Sequence, residues 1–235
     1  MISTSNKYAV IVAGGSGKRM GNVTPKQFLE IHGKPLLVYS IDAFLLAYPD
    51  MKVILVLPAN FIKVGTKLAE VSVDPARVLL TEGGETRFHS VQNGLHSVPA
   101  SAIVFVHDAV RCLIGVDLIQ RCFECAREHG TAVPAIAATD SIRIITGEHN
   151  EAVDRERVKI IQTPQTFSSD ILKVAYRQEY HHQFTDDASV VEKAGMRIQL
   201  LEGEPTNIKV TRPIDLLLAE KILADRKNSI TNGTT

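Results

Sequence analysis

Short apolar, β-rich runs alternate along this chain with segments whose apolar residues recur at helical spacing, and this rhythm most narrows the folds open to it. Tyr8–Ala13 (YAVIVA) is a continuous apolar run, as a strand buried on both faces requires. From Pro35 to Tyr48 the residues Leu37, Ile41, Phe44 and Leu45 keep the spacing of one helix face. Lys52–Leu57 (KVILVL) reads as a second buried strand and Arg77–Leu80 as a short third. Thr86–Val98 reads as a helix with Val91, Leu95 and Val98 on one side, Ala102–Val106 as a strand, Val116–His129 as a helix and Thr131–Ala137 as a strand. Such alternation implies βαβ crossovers, and so an α/β fold with a mostly parallel, twisted sheet and helices on both faces. Ligands of such sheets gather beyond the carboxyl ends of the strands. The residues after Ala13, Leu80 and Val106 are therefore expected to converge.

The rhythm changes after Ala138. Ser141–Thr146 alternates, Gly147-Glu148-His149-Asn150 supplies turn residues, and Glu151–Asp154 is extended again, which predicts an antiparallel hairpin projecting from the sheet. Lys159–Gln162 returns to strand. Ser168–Tyr180 and Asp186–Ala194 read as helices, the first with Ser168 as N-cap and the second capped by Asp186-Asp187. Arg197–Glu202 and Thr206–Val210 read as late strands. Pro213 opens a last helix, where its missing N–H is harmless. A single domain over residues 1–235, with a β-arm at about 139–160, suits this length and pattern.

Lys plus Arg and Asp plus Glu balance at 26 each, so the basic excess of a nucleic-acid binder is missing, although a local basic pocket remains compatible. No apolar run approaches the roughly 18 residues of a membrane span. Met1–Lys7 is polar and leads into a strand rather than the apolar core of a secretory leader, so a cytoplasmic location is expected. Cys122 and Cys125 lie within one helical pattern with no second cysteine pair, and with Cys112 they read as reduced thiols rather than a zinc site.

Ala13-Gly14-Gly15-Ser16-Gly17-Lys18-Arg19-Met20 follows the first strand directly. Its glycines let the backbone curl and present N–H groups to an anion. Lys18, Arg19 and, after Pro25, Lys26 add positive charge. Neither familiar phosphate motif fits: a P-loop would need Ser or Thr at Arg19 and Gly at Val12, and G-x-G-x-x-G begun at Gly15 ends on Met20. The turn is thus either a tight strand-to-helix connection or a triphosphate site, and the clustered cations favour the second. Asp108, at the end of a strand on the ligand face, is either a metal ligand and orienter or a helix cap. His107 reads as a packed histidine rather than a catalyst. Arg155 on the hairpin and Lys209, opposite in side to Ile208 and Val210, would otherwise read as solvated charges.

These residues fall into segments that carry a resemblance. Ala13-Gly14-Gly15-x-Gly17-x-Arg19-Met20 with Pro25-Lys26-Gln27 resembles the signature of sugar-phosphate nucleotidyltransferases. Gly83-Gly84-Glu85-Thr86-Arg87 before Ser90-Val91, Val106-His107-Asp108-Ala109-Val110-Arg111, Val153-Asp154-Arg155, Gln162-Thr163-Pro164-Gln165, Thr185-Asp186-Asp187-Ala188-Ser189 and Asn207-Ile208-Lys209-Val210-Thr211-Arg212-Pro213 follow in order. Together, from about Tyr8 to about Leu223, they resemble the 2-C-methyl-D-erythritol 4-phosphate cytidylyltransferases of non-mevalonate isoprenoid synthesis.

The resemblance implies a Rossmann-like domain whose β-arm embraces a second subunit in a homodimer, with CTP and a polyol phosphate as substrates and a divalent metal, normally Mg²⁺. It matches Arg19 and Lys26 to the pair that stabilises a pentavalent transition state, and Arg155 and Lys209 to the pair that holds the acceptor phosphate. Ala13, Gly14, Gly15, Ser16, Gly17, Gly84, Glu85, Ser90 and Ala109 fall in the nucleotide-binding set. Asp108, Arg111, Ser141 and Thr163 fall in the substrate set, with Asp108 also the candidate metal ligand. Cys112 stands where the family commonly has Pro, Glu85 where Asp is frequent and Ser141 where Thr is. Ribitol-5-phosphate cytidylyltransferases share most of these segments. A non-catalytic nucleotide-binding module would be expected to lose the cations that are present here.

Overall fold

The computed structural model describes residues 6–14 and 25–232. An eight-stranded sheet forms the centre. Strands β1 (Lys7–Val12), β4 (Met51–Leu57), β5 (Val78–Glu82) and β6 (Ile103–Asp108) run parallel in the order β6-β1-β4-β5. The two-residue strands β2 (Glu30–Ile31) and β3 (Lys34–Pro35) pair only with each other. The apolar runs are buried on both faces, as expected. In β1, Ala9 and Ile11 pack beneath α1 (Leu36–Ala47) and α4 (Val116–His129), whereas Tyr8 and Val10 pack beneath α3 (Arg87–Leu95) on the other side. Burial of both faces explains why no charged residue follows Lys7 in that strand.

Several elements depart from the sequence reading. Gln165–Ser168 is strand β11, antiparallel to both β6 and β7 (Thr131–Ala137), and wedges between them. Its polar sequence hid it: Gln165 is buried because its amide donates to Asp186 and accepts from the Ala188 N–H, both at 2.8 Å. Helix α2 (Ile62–Glu70) was also unread. Conversely, Thr206–Val210 joins no ladder. It runs past the end of β6, tied by one bond from the Val210 N–H to the Val110 carbonyl and by the buried Asn207 side chain donating to the Thr163 carbonyl at 2.9 Å. The late strand β12 is confined to Leu200–Glu202, parallel to β7. Helix α5 covers only Ser169–Ala175, capped by Ser168. Helix α6 (Asp187–Lys193) opens with a capping box between Asp186 and Ser189. Helix α7 begins at Pro213.

Strands β8 (Ile142–Thr146) and β9 (His149–Val153) pair only with each other, closed by a tight turn at Gly147-Glu148; Gly147 has φ +62°, which a glycine tolerates without strain. Asp154 and Arg155–Arg157 lead from this hairpin into β10 (Lys159–Ile161), antiparallel to β7. No helix among the described residues is long and apolar enough to cross a membrane. Cys112 and Cys122 are buried free thiols, and burial pushes each up to about 12.

Candidate active site

The chain leaves β1 towards β4 and β5 on one side, then returns to β6 on the other, so the order of strands reverses between β1 and β6. That is where an α/β sheet opens a crevice. A pocket of about 280 Å³ lies there, lined among others by Ala13 and Gly14 after β1, Lys26 and Gln27, Gly84–Arg87 and Ser90, Asp108 at the end of β6, Val110 and Lys209. The three strand ends that the sequence marks as convergent do meet.

Each wall has a local cause. Lys26–Phe28 forms a 3-10 turn after Pro25, and the buried Gln27 donates its amide to the Ala13 carbonyl at 2.7 Å, pinning the start of the glycine-rich turn. Thr86 caps α3, and Ser90 one turn on accepts from the Gly84 N–H at 3.1 Å and donates to the Thr86 carbonyl at 2.9 Å. A Cβ at Gly84 would sit 2.4 Å from His89 Cβ and 3.0 Å from the His89 carbonyl carbon, so only glycine fits this loop as built. Gly84→Ala is expected to force the loop off α3 at a cost of about 1–3 kcal/mol. Chemical denaturation of the variant beside wild type checks this.

Asp108 is the electrostatic hub. Lys209 donates to its Oδ2 at 2.6 Å, Arg87 Nε to its Oδ1 at 3.3 Å, and its own N–H donates to Thr163 Oγ1 at 3.1 Å. Burial alone would raise the carboxyl, yet the Arg87, Lys209 and Arg111 charges hold it well below the usual carboxylate range. His107 is fully buried against Thr163 and the Arg111 carbonyl; burial lowers its imidazole to about 3, so it is neutral at pH 7 and packs as the sequence suggested.

The chain's match to a model of the family described as 2-C-methyl-D-erythritol 4-phosphate cytidylyltransferase spans residues 8–225. The chain belongs to the 2-C-methyl-D-erythritol 4-phosphate cytidylyltransferase family. A protein of that name from Bacteroides fragilis is 45% identical over 217 residues, 92% of this chain and 99% of the relative. Its Bacteroides thetaiotaomicron counterpart is 44% identical over 214 residues, covering 91% and 98%. The crystal structure of the enzyme of that name from Thermus thermophilus superposes with a TM-score of 0.71 at 31% identity, covering 92% of this chain and 98% of that one. The 4-diphosphocytidyl-2C-methyl-D-erythritol synthase structure from Anaerococcus prevotii, at 24% identity and TM-score 0.80 over 94% and 96%, shows the shared fold.

Within this family's fold the described candidate residues fall into three groups. Ala13, Gly14, Lys26, Gly84, Glu85, Ser90, Asp108 and Lys209 line one pocket. Ala109, Arg111 and Thr163 stand behind it. Ala109 is buried and accepts from Ser40 at 3.0 Å, Thr163 supports Asp108, and Arg111 clips the Asn207 carbonyl at 2.8 Å. Ser141 and Arg155 stand outside the pocket at the root of the hairpin, where Arg155 is exposed and donates to the Thr139 carbonyl at 3.2 Å. Gly15, Ser16, Gly17, Lys18 and Arg19 lie outside the described residues.

The sequence assigns no task to Arg87 or Gln27 and only a helix cap to Asp187, although each sits inside a quoted segment. Arg87 lines the pocket and forks onto Asp187, and Asp187 is fully buried rather than a second cap beside Asp186. A charged pair far apart in sequence leaves no periodic signal, so only the segment itself pointed there.

Proposed function

We propose that the protein transfers the cytidylyl group of CTP to the phosphate of 2-C-methyl-D-erythritol 4-phosphate, a step of non-mevalonate isoprenoid precursor synthesis in the cytoplasm. An acceptor phosphate oxygen attacks the α-phosphorus in line, the α–β bridging P–O bond breaks, and pyrophosphate leaves with that electron pair. The acceptor is already ionised at pH 7, so the site needs cations and alignment more than a base. The observation that carries this reading is that Lys26 and Lys209, 183 residues apart (209 − 26), line one pocket with the Gly84 loop and Asp108.

Lys26, with Arg19, is assigned to the charge that develops on the α-phosphoryl oxygens. Lys209 and Arg155 are assigned to the acceptor phosphate. The Ala13–Gly17 turn, Gly84, Glu85, Ser90 and Ala109 are assigned to the nucleotide, and Arg111, Ser141 and Thr163, with Asp108, to the acceptor side. No group of three or more His, Cys, Asp or Glu side chains suited to a metal occurs among the described residues. Asp108, in a pocket that Glu85 also lines, fits Mg²⁺, which commonly takes one or two carboxylates and completes its shell with substrate phosphates and water. When bound, Mg²⁺ would neutralise triphosphate charge, and Asp108 would hold it.

Because Arg155 stands outside the pocket of its own chain, the reading places it in the site of a second copy. The hairpin, a two-stranded sheet of its own with Ile144 and Ile145 exposed, would reach across a homodimer. Arg155→Lys keeps the charge but loses the planar fork. Its acceptor KM is expected to rise about tenfold, with the CTP KM within about twofold. Mixed dimers of Arg155 and Lys26 variants are expected to regain activity; no rescue would argue against a shared site.

The deciding experiment is pyrophosphate release with CTP, ATP, GTP and UTP against methylerythritol phosphate and ribitol 5-phosphate. Turnover with CTP and methylerythritol phosphate is expected. Preference for ribitol phosphate, or no release with either acceptor, would overturn the assignment.

A further inference from the structure

The roles above leave Arg87 unused. It is the first residue of α3, and its two terminal nitrogens donate to the two oxygens of Asp187 at 3.0 and 2.7 Å. Asp187 is the first residue of α6, is wholly buried, and also accepts the Tyr176 hydroxyl at 2.6 Å. The third guanidinium nitrogen of Arg87 faces Asp108. Asp108 therefore has two cationic partners of different freedom. The Lys209 side chain is 43% exposed, on a segment outside the sheet ladders. The Arg87 side chain is 29% exposed and clamped by a planar, two-bond pair. Burial works against charge on Arg87, but the Asp187 and Asp108 carboxylates keep it protonated.

We propose that Arg87 is a positioning residue for cytidylyl transfer: anchored on Asp187, it holds Asp108 and supplies its counter-charge, so that Lys209 can turn from Asp108 to the acceptor phosphate. This rests on the proposed function. An acceptor phosphate and Asp108 compete for the same ammonium. With Arg87 absent, withdrawing Lys209 would take the last direct side-chain ion pair from a mostly buried carboxylate beside two arriving anions, a costly state. Arg87 cannot itself leave to follow the substrate, because its fork is committed to a buried partner. A clamp that merely joined α3 to α6 would have no reason to extend its remaining nitrogen to Asp108.

The test separates positioning from folding. Arg87→Met alone strands the buried Asp187 charge, so the informative protein is Arg87→Met/Asp187→Asn, which removes both charges, compared with Arg87→Lys. Melting temperature is measured together with pyrophosphate release, varying CTP and methylerythritol phosphate in turn. The double variant is expected to melt within about 5 °C of wild type yet show an acceptor KM raised about tenfold or more, with the CTP KM within about threefold. Arg87→Lys is expected to recover most of the lost acceptor affinity. A folded double variant with wild-type kinetics, or with both KM values raised alike, would reduce Arg87 to a structural clamp. Should the double variant fail to fold, Arg87→Lys decides: an acceptor KM raised about threefold at constant CTP KM supports the role, and unchanged kinetics overturn it. Wild-type turnover in the same assay distinguishes failure of this role from failure of the assigned reaction.

Discussion

Lys26→Ala is expected to lower kcat by about 10²–10³-fold, equivalent to roughly 3–4 kcal/mol of transition-state stabilisation, as for other fixed donors aimed at developing negative charge. The physical reason is the sign of everything that must meet. CTP and the acceptor are both anions, and the α-phosphoryl group takes on further charge density as the new bond forms. A cation held at that point before reaction costs no reorganisation when the charge appears. Lys26 is held on the 3-10 turn after Pro25, next to Gln27, whose amide fixes the end of β1. Its side chain is part of a pocket wall rather than the core, so the melting temperature should stay close to wild type. Steady-state pyrophosphate release with parallel thermal melts checks both halves. Turnover near wild type would remove Lys26 from the site.

The second large effect is on stability. Asp187→Ala is expected to cost about 3 kcal/mol, the lower end of the range for breaking a buried ion pair, and to lower the melting temperature by roughly 10 °C in a chain of this size. The substitution leaves the Arg87 guanidinium without its bidentate partner and the Tyr176 hydroxyl without its acceptor. The lower end applies because Arg87 retains some solvent contact, so water can rehydrate part of the stranded charge. Denaturant melts read the loss directly. A change below about 1 kcal/mol would show that the pair is no stronger than a surface salt bridge.

The candidate site was legible where local chemistry is written into consecutive residues. Ala13-Gly14 closing an apolar strand and Asp108 ending β6 mark ligand-facing ends of strands, and the pocket forms there with Lys26 and Gln27 in its wall. The helix starts at Ser168, Asp186 and Pro213 were likewise readable, because a cap satisfies backbone groups within three residues of itself. Strand β11 was not readable, since its burial depends on Gln165 finding Asp186 and Ala188, more than twenty residues away. Thr206–Val210 misled in the opposite direction. It alternates like a strand and does bury Val210 while turning Lys209 outward, but no strand among the described residues pairs with it.

The sequence by itself determined which strands are buried on both faces, the α/β class and the family, because each of these follows from the order and periodicity of side chains along the chain. Only the tertiary structure decided that Lys209 and Arg87 share Asp108, that Asp187 anchors Arg87 from beneath, and that Arg155 lies away from its own chain's pocket. Charge pairing depends on distance in space and leaves no mark in the spacing of residues along the backbone.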